Sequence, residues 1–163
     1  MNQPCTQFDL NTEDLAKICS SRHWQLLMKL AMPFKDGDEM FACAKNAFEQ
    51  LSEADWLEAF AGHPMIGDLK TLEAKYGHGK ALSEKEQSQV QGAAREVLEE
   101  LLTLNHAYKK KFGFIFIVCA TNKSAEEMLA MLKARIHRTH QQEIAQAAIE
   151  QKKISRIRME AYL

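Results

Sequence analysis

Apolar positions recur every three or four residues along most of the chain, and residues that cap helices stand between the runs. Trp24, Leu27, Met28 and Ala31 lie at i, i+3, i+4 and i+7, the spacing of one buried helix face. This helix is expected to begin near Ser21 and to end at Pro33. Before it, Phe8-Asp9-Leu10-Asn11 leads into a short helix capped by Asn11 or Thr12, with Leu15 and Ile18 inward. After it, Lys35-Asp36-Gly37-Asp38 reads as a turn, and Phe41, Ala44, Phe48 and Leu51 as the core face of a third helix. Ser52 and Asp55, three apart, signal a capped fourth helix that carries Trp56 and Phe60.

The next stretch is Gly62-His63-Pro64-Met65-Ile66-Gly67-Asp68. Gly62 is expected to stop the helix in the left-handed conformation. Pro64 turns His63 out of the helical region. Gly67 allows a tight return, and Asp68 can cap a helix through Leu69, Leu72 and Tyr76. Gly77-His78-Gly79-Lys80 is a break, after which Ser83-Glu84-Lys85-Glu86-Gln87 has capping-box spacing. It opens the longest periodic run, Val90, Ala94, Val97, Leu101 and Leu104 to Tyr108, which fits one helix or two before Gly113 interrupts it. Phe112 to Ala120 is the one strongly apolar, β-branched stretch and reads as a buried extended segment without a strand partner. Buried backbone must hydrogen-bond to something, so its N–H groups are expected to serve a ligand. Ser124 caps a helix with Met128, Leu132 and Ile136 inward, and a last helix from about His140 buries Ile144, Ala147, Ala148, Ile154 and Ile157. The expected fold is all-α: a compact single-domain helical bundle over residues 1–163, with one buried extended segment near 112–120.

Composition narrows the class. Only 7 Gly and 3 Pro occur among 163 residues, in keeping with helices throughout. A net charge of −1 gives no electrostatic case for nucleic acid or an anionic membrane as partner. No apolar run reaches the ~18 residues that a membrane helix needs. The first residues lack the pattern of a secretory signal, and Ala161-Tyr162-Leu163 is not a peroxisomal address. Cys5, Cys19, Cys43 and Cys119 form no Cys-x-x-Cys pair, and Cys43 and Cys119 read as small core residues. A reducing cytoplasm is the simplest home.

His63 is the first candidate for chemistry. Imidazole suits proton transfer near neutral pH, and a rigid corner would aim it; a histidine that only fills a turn fits the same residues. Ser83 and Glu86 fit a helix cap, and a helix N-terminus also binds anions. Arg158, among Ile154, Ile157 and Met159, needs a partner, either a carboxylate of the protein or one of a substrate. His137 and His140 have i, i+3 spacing but no convincing third ligand, so no metal site is expected. His23 and His106 read as structural or exposed. No phosphate loop, nucleophile elbow or dinucleotide fingerprint occurs.

Taken together these pieces resemble the OHCU decarboxylase family of urate degradation, whose substrate is 2-oxo-4-hydroxy-4-carboxy-5-ureidoimidazoline and whose product is (S)-allantoin. The resemblance covers nearly the full length. It rests on Trp24, Pro33-Phe34, His63 to Asp68, Ser83-x-x-Glu86-Gln87, Asn105-x-x-Tyr108, Phe112-Gly113-Phe114-x-Phe116-Ile117-Val118, Arg135, Glu143 and Ile157-Arg158-Met159. It implies that His63 is the catalytic histidine and Glu86 a carboxylate in contact with the substrate. Ser83 and Gln87, in the cluster with Glu84 and Lys85, would hold ring and ureido groups. Pro64 would line the pocket, and Phe116, Ile117, Val118, Cys119 and Ala120 would offer backbone groups. Arg158 would complete the site. The resemblance also implies an all-helical homodimer without metal or organic cofactor. Three positions depart from the family pattern: Ile115 stands in place of a usual Pro, Val90-Gln91 in place of Ala-Gly, and Thr121 in place of a frequent Arg.

Overall fold

The computed structural model describes residues 7–65 and 84–163; the side chains of residues 84–94 lie outside that description. Among the described residues the fold is all-α, with helices α1 (Thr12–Ile18), α2 (Arg22–Ala31), α3 (Gly37–Glu49), α4 (Glu53–Ala61), α5 (Glu84–Phe112), α6 (Ala125–Arg135) and α7 (His140–Glu160). An isolated antiparallel bridge joins Phe8 to Phe34 through two N–H···O bonds of 2.9 Å. The helix expected after Asp68 lies outside the described residues.

Side-chain caps set most helix starts. Asn11 accepts from the Asp14 N–H and Asp14 reaches back to the Asn11 N–H, so Asn11 rather than Thr12 is the cap. Ser21 accepts from the Trp24 N–H. Ser52 and Asp55 form the expected box, and Ser124 caps α6 through the Glu127 N–H. The expected turn at Lys35–Asp38 is instead the start of α3: Asp36 accepts from the Glu39 N–H, and Gly37 is already helical. A carboxylate beside unpaired N–H groups favours that outcome.

The residues divide into two compact units. The first takes in Met1–His63, Ile117–Cys119 and Ile144–Leu163. Its core is a run of stacked rings: Trp24 lies 5.3 Å from Phe48, Phe48 lies 5.5 Å from Trp56, and Trp56 lies 6.1 Å from Phe60. Leu15, Ile18, Met28 and Met40 are buried beside them. The inward stripe of α3 is Met40, Ala44, Ala47 and Phe48. Phe41 and Leu51 are only half-buried, and the Arg156 guanidinium covers the Phe41 ring at 3.7 Å. Cys43 is likewise half-buried rather than in the core, whereas Cys19 is fully enclosed.

The second unit takes in Pro64–Phe116 and Ala120–Glu143. The long periodic run is one helix of 29 residues, α5. Lys109, Lys110 and Lys111 in its last turn suit the negative end of the helix dipole. Gly113, at φ +83°, takes the left-handed conformation that turns the chain away. Tyr108 is enclosed by Phe112, Phe114 and Phe116 at centroid distances of 4.4, 5.9 and 5.4 Å. Leu98 and Leu101 of α5 and Met128, Leu129 and Leu132 of α6 are buried in this unit. Beyond Phe114 the chain to Ala120 is neither helix nor strand. Ile117 and Cys119 are buried, but Ile115, Phe116, Val118 and Ala120 are half-buried, so the segment is less enclosed than its composition suggests.

Helix α7 departs most from expectation. Ile144 and Ala147 are buried as expected and Ala148 and Ile154 are half-buried, but Ile157 is 42% exposed. The inward stripe is Glu143, Ala147, Gln151, Ser155 and Met159, each four residues after the last. Three of its five members are polar, so an apolar count assigns the helix the wrong phase.

Candidate functional site

His63 follows directly on α4, and its N–H donates to the Phe60 carbonyl at 3.2 Å. Gly62 ends the helix at φ −76°, right-handed rather than left-handed. The position needs glycine for space: a Cβ there would overlap the Ser20 side chain. The Trp56 and Phe60 rings anchor α4 in the core, so the backbone before His63 is held on both sides.

The His63 ring is half-buried, and its Nε2 lies 2.5 Å from Gln151 Oε1. Gln151 is fully buried and donates from Nε2 to Ser155 Oγ at 3.0 Å. The Ser155 hydroxyl donates to the Ile18 carbonyl at 3.0 Å. A file of hydrogen bonds thus runs from the histidine through two side chains of α7 to the C-terminal end of α1. Burial pushes the His63 pKa below its ordinary value; the Gln151 hydrogen bond opposes this, and the positive charge of Arg158 adds to the lowering. These surroundings favour the neutral imidazole, the form able to accept a proton.

Arg158 has a partner, but not a carboxylate. Its Nη1 donates to the Lys17 carbonyl at 2.9 Å and, more weakly, to the Ile18 carbonyl at 3.4 Å. A cation at a helix C-terminus is well placed, because the last carbonyls lack intrahelical donors. Arg158 and Gly62 also line an open cleft with Lys17, Ser20 and Tyr162.

The structure gathers some of the expected site residues and not others. His63, Arg158, Ile117, Val118 and Cys119 belong to the first unit; Pro64, Phe116 and Ala120 belong to the second. Pro64 is exposed. Glu84, Lys85, Glu86 and Gln87 form the first turn of α5, but their side chains lie outside the described residues, as does Ser83 altogether. His137 and His140 are exposed, with His140 edge-on to Phe114 at 5.8 Å. His23 is structural, its Nδ1 2.7 Å from Asp55 Oδ2.

Two polar clusters are assembled only by the fold, although Tyr108, Arg135 and Glu143 stand among the residues that carry the family resemblance. One is Gln151 with Ser155. The other is in the second unit, where the buried Glu143 carboxylate receives the Tyr108 hydroxyl at 2.6 Å, Arg135 Nε at 2.8 Å and Arg138 Nη1 at 3.2 Å. The signal available for both was Glu143, Gln151 and Ser155, spaced by multiples of four along α7, which an apolar pattern assigns to solvent.

The model of one protein family, OHCU decarboxylase, matches residues 7–160. The chain belongs to the OHCU decarboxylase family. It is 34% identical over 148 residues to the uric acid degradation bifunctional protein TTL of Arabidopsis thaliana, a match covering 90% of this chain and 46% of that protein. The chain thus spans less than half the length of that relative. It is 31% identical over 133 residues to the 2-oxo-4-hydroxy-4-carboxy-5-ureidoimidazoline decarboxylase of Amia calva, covering 78% of this chain and 73% of that one. A solved structure of OHCU decarboxylase in the presence of (S)-allantoin superposes with a TM-score of 0.74 at 31% identity, covering 93% of this chain and 98% of that chain. The all-α architecture is that of this family.

Proposed function

We propose that the chain catalyses the cofactor-independent decarboxylation of 2-oxo-4-hydroxy-4-carboxy-5-ureidoimidazoline to (S)-allantoin, within urate degradation. The observation that carries the proposal is the family match over residues 7–160, with His63 held neutral and half-buried at the end of a rigid helix. In the reaction the C–C bond to the carboxylate breaks and CO2 leaves. The electron pair enters the conjugated C=N system of the ring, and a proton added to one face gives the chiral product. The protein then has to orient the substrate, stabilise developing charge and move a proton.

His63 is the proton-transfer residue in this reading, and Glu86 fixes the substrate hydroxyl or the imidazole. Ser83, Glu84, Lys85 and Gln87 contact ring and ureido groups. Pro64 lines the pocket, and the backbone from Phe116 to Ala120 meets the ring. Arg158 supplies positive charge near the substrate oxygens while it holds α1 in place. The family resemblance supports this assignment residue by residue. It also supports a homodimer; the cysteine usage supports the cytoplasm as its home, and the family match over 7–160 supports reading residues 1–163 as one domain. Sedimentation of the purified chain tests the dimer.

The test of function is the optical activity of allantoin formed from freshly generated substrate, with and without the protein. Rapid appearance of the (S) enantiomer is expected. Racemic product at the unassisted rate would refute the proposal.

A further inference from the structure

The His63–Gln151–Ser155–Ile18 file has a direction that its end fixes. The Ile18 carbonyl can only accept. The Ser155 hydroxyl has one proton, donated to that carbonyl at 3.0 Å. Its oxygen must then accept from Gln151, which places the amide nitrogen of Gln151 toward Ser155, at 3.0 Å. The amide oxygen faces His63, and an amide oxygen only accepts. The ring nitrogen opposite it must therefore carry a hydrogen. Gln151 and Ser155 are both fully enclosed, so no bulk water competes for either group. They stand four residues apart on α7, which holds them on one face at fixed separation. Among the described residues, Arg158 is the charged side chain whose field reaches the ring; it is a donor only and offers the imidazole no alternative acceptor.

We infer that Gln151 and Ser155 are positioning residues that pin the neutral His63 ring in the Nε2–H tautomer, so that Nδ1 is the nitrogen that exchanges a proton with the substrate. The inference rests on the proposed role of His63 and deepens it. A proton accepted at Nδ1 gives an imidazolium whose Nε2–H stays on Gln151, and releasing it restores the starting state. No ring rotation and no amide flip intervene, so the same atom can take a proton and return it. Pinning Nε2 also fixes the direction of the Nδ1 lone pair, and proton delivery to one face requires that.

The test uses the full chain, uniformly labelled with 15N, and needs no substrate. Long-range proton–nitrogen correlation reads the His63 ring nitrogens across pH. The wild type is expected to show a protonated Nε2 with a slowly exchanging proton and a bare Nδ1 above its titration midpoint. Gln151→Leu and Ser155→Ala should lose the slow exchange and move both nitrogen shifts toward averaged values. Where the substrate is turned over, kcat should fall about 10–100-fold with KM nearly unchanged, the size seen for partners that orient metal-bound imidazoles. Gln151→Glu is the conservative variant: it keeps an acceptor, so the protected Nε2–H should persist, while the new carboxylate raises the His63 titration midpoint. If Gln151→Leu does not fold, Gln151→Glu decides alone. A wild-type ring protonated on Nδ1, imidazole shifts unaltered by Ser155→Ala, or an unmoved midpoint in Gln151→Glu would each overturn the inference. Racemic allantoin from a protein whose Nε2–H is pinned would sink the decarboxylase reading and leave the tautomer assignment standing.

Discussion

Glu143→Gln should be among the most damaging single changes in the second unit. The Glu143 side chain is fully buried and receives three donors, from Tyr108, Arg135 and Arg138. The Arg135 side chain is only 6% exposed and its guanidinium lies 4.6 Å from the Phe116 ring centroid. An amide can still accept hydrogen bonds, but it takes the Glu143 charge away from the buried guanidinium. Removing one partner of a buried ion pair costs about 3–5 kcal/mol. The Arg138 side chain is 37% exposed, so it turns to water and adds little. The Tyr108 phenol, its pKa raised by burial and by donation to Glu143, keeps an acceptor but a weaker one. A loss of about 4 kcal/mol is a large share of the ~5–15 kcal/mol typical of whole domains. At a urea slope of ~2 kcal/mol per molar, the midpoint should fall by about 2 M with the slope unchanged. Urea titration followed by far-UV circular dichroism measures this directly. The double change Arg135→Met with Glu143→Leu removes both charges and should cost less than Glu143→Gln alone. A midpoint shift below about 0.5 M for Glu143→Gln at the same slope would show that the carboxylate does not balance a buried charge.

Further consequences can be checked in the same protein. His63→Asn should cut the rate of (S)-allantoin formation by about 10²–10⁴ with the circular dichroism spectrum intact; near-normal turnover would remove His63 from the reaction. Because the folded His63 pKa lies below the ordinary 6.5, the acid limb of the rate profile should fall at lower pH than for a free imidazole. The stability owed to the neutral ring should be present above 6.5 and lost as pH falls through the depressed folded value, which melting temperatures across pH would show. Gly62→Ala forces a methyl group into Ser20 and should destabilise by about 1–3 kcal/mol, most of it recovered when Ser20→Gly is added; thermal melts of the two variants decide. Burial pushes the Cys19 thiol up to about 11, so alkylation at neutral pH followed by mass spectrometry should mark the half-buried Cys43 well before Cys19.

The amino-acid sequence by itself determined the helical class and most helix boundaries. These depend on local chemistry: a hydroxyl or side-chain amide oxygen at Asn11, Ser21, Ser52 and Ser124 meets an N–H three residues on, whatever the rest of the chain does. It also marked His63, because proline and glycine around an imidazole are visible without coordinates. Tertiary structure alone decided the exact face that each helix turns inward where the apolar pattern allowed more than one or where that face is partly polar. Phe41 gave way to Met40 and Ala47 in α3, and Ile157 to Gln151 and Ser155 in α7. A polar side chain is cheap to bury only when a distant acceptor completes its hydrogen bonds, and those acceptors stand far away in the chain. Ser155 meets the carbonyl of Ile18, and Glu143 meets the hydroxyl of Tyr108. Arg158 shows the same limit: its need for a partner was legible, but the carbonyls of Lys17 and Ile18 that satisfy it come from the opposite end of the sequence.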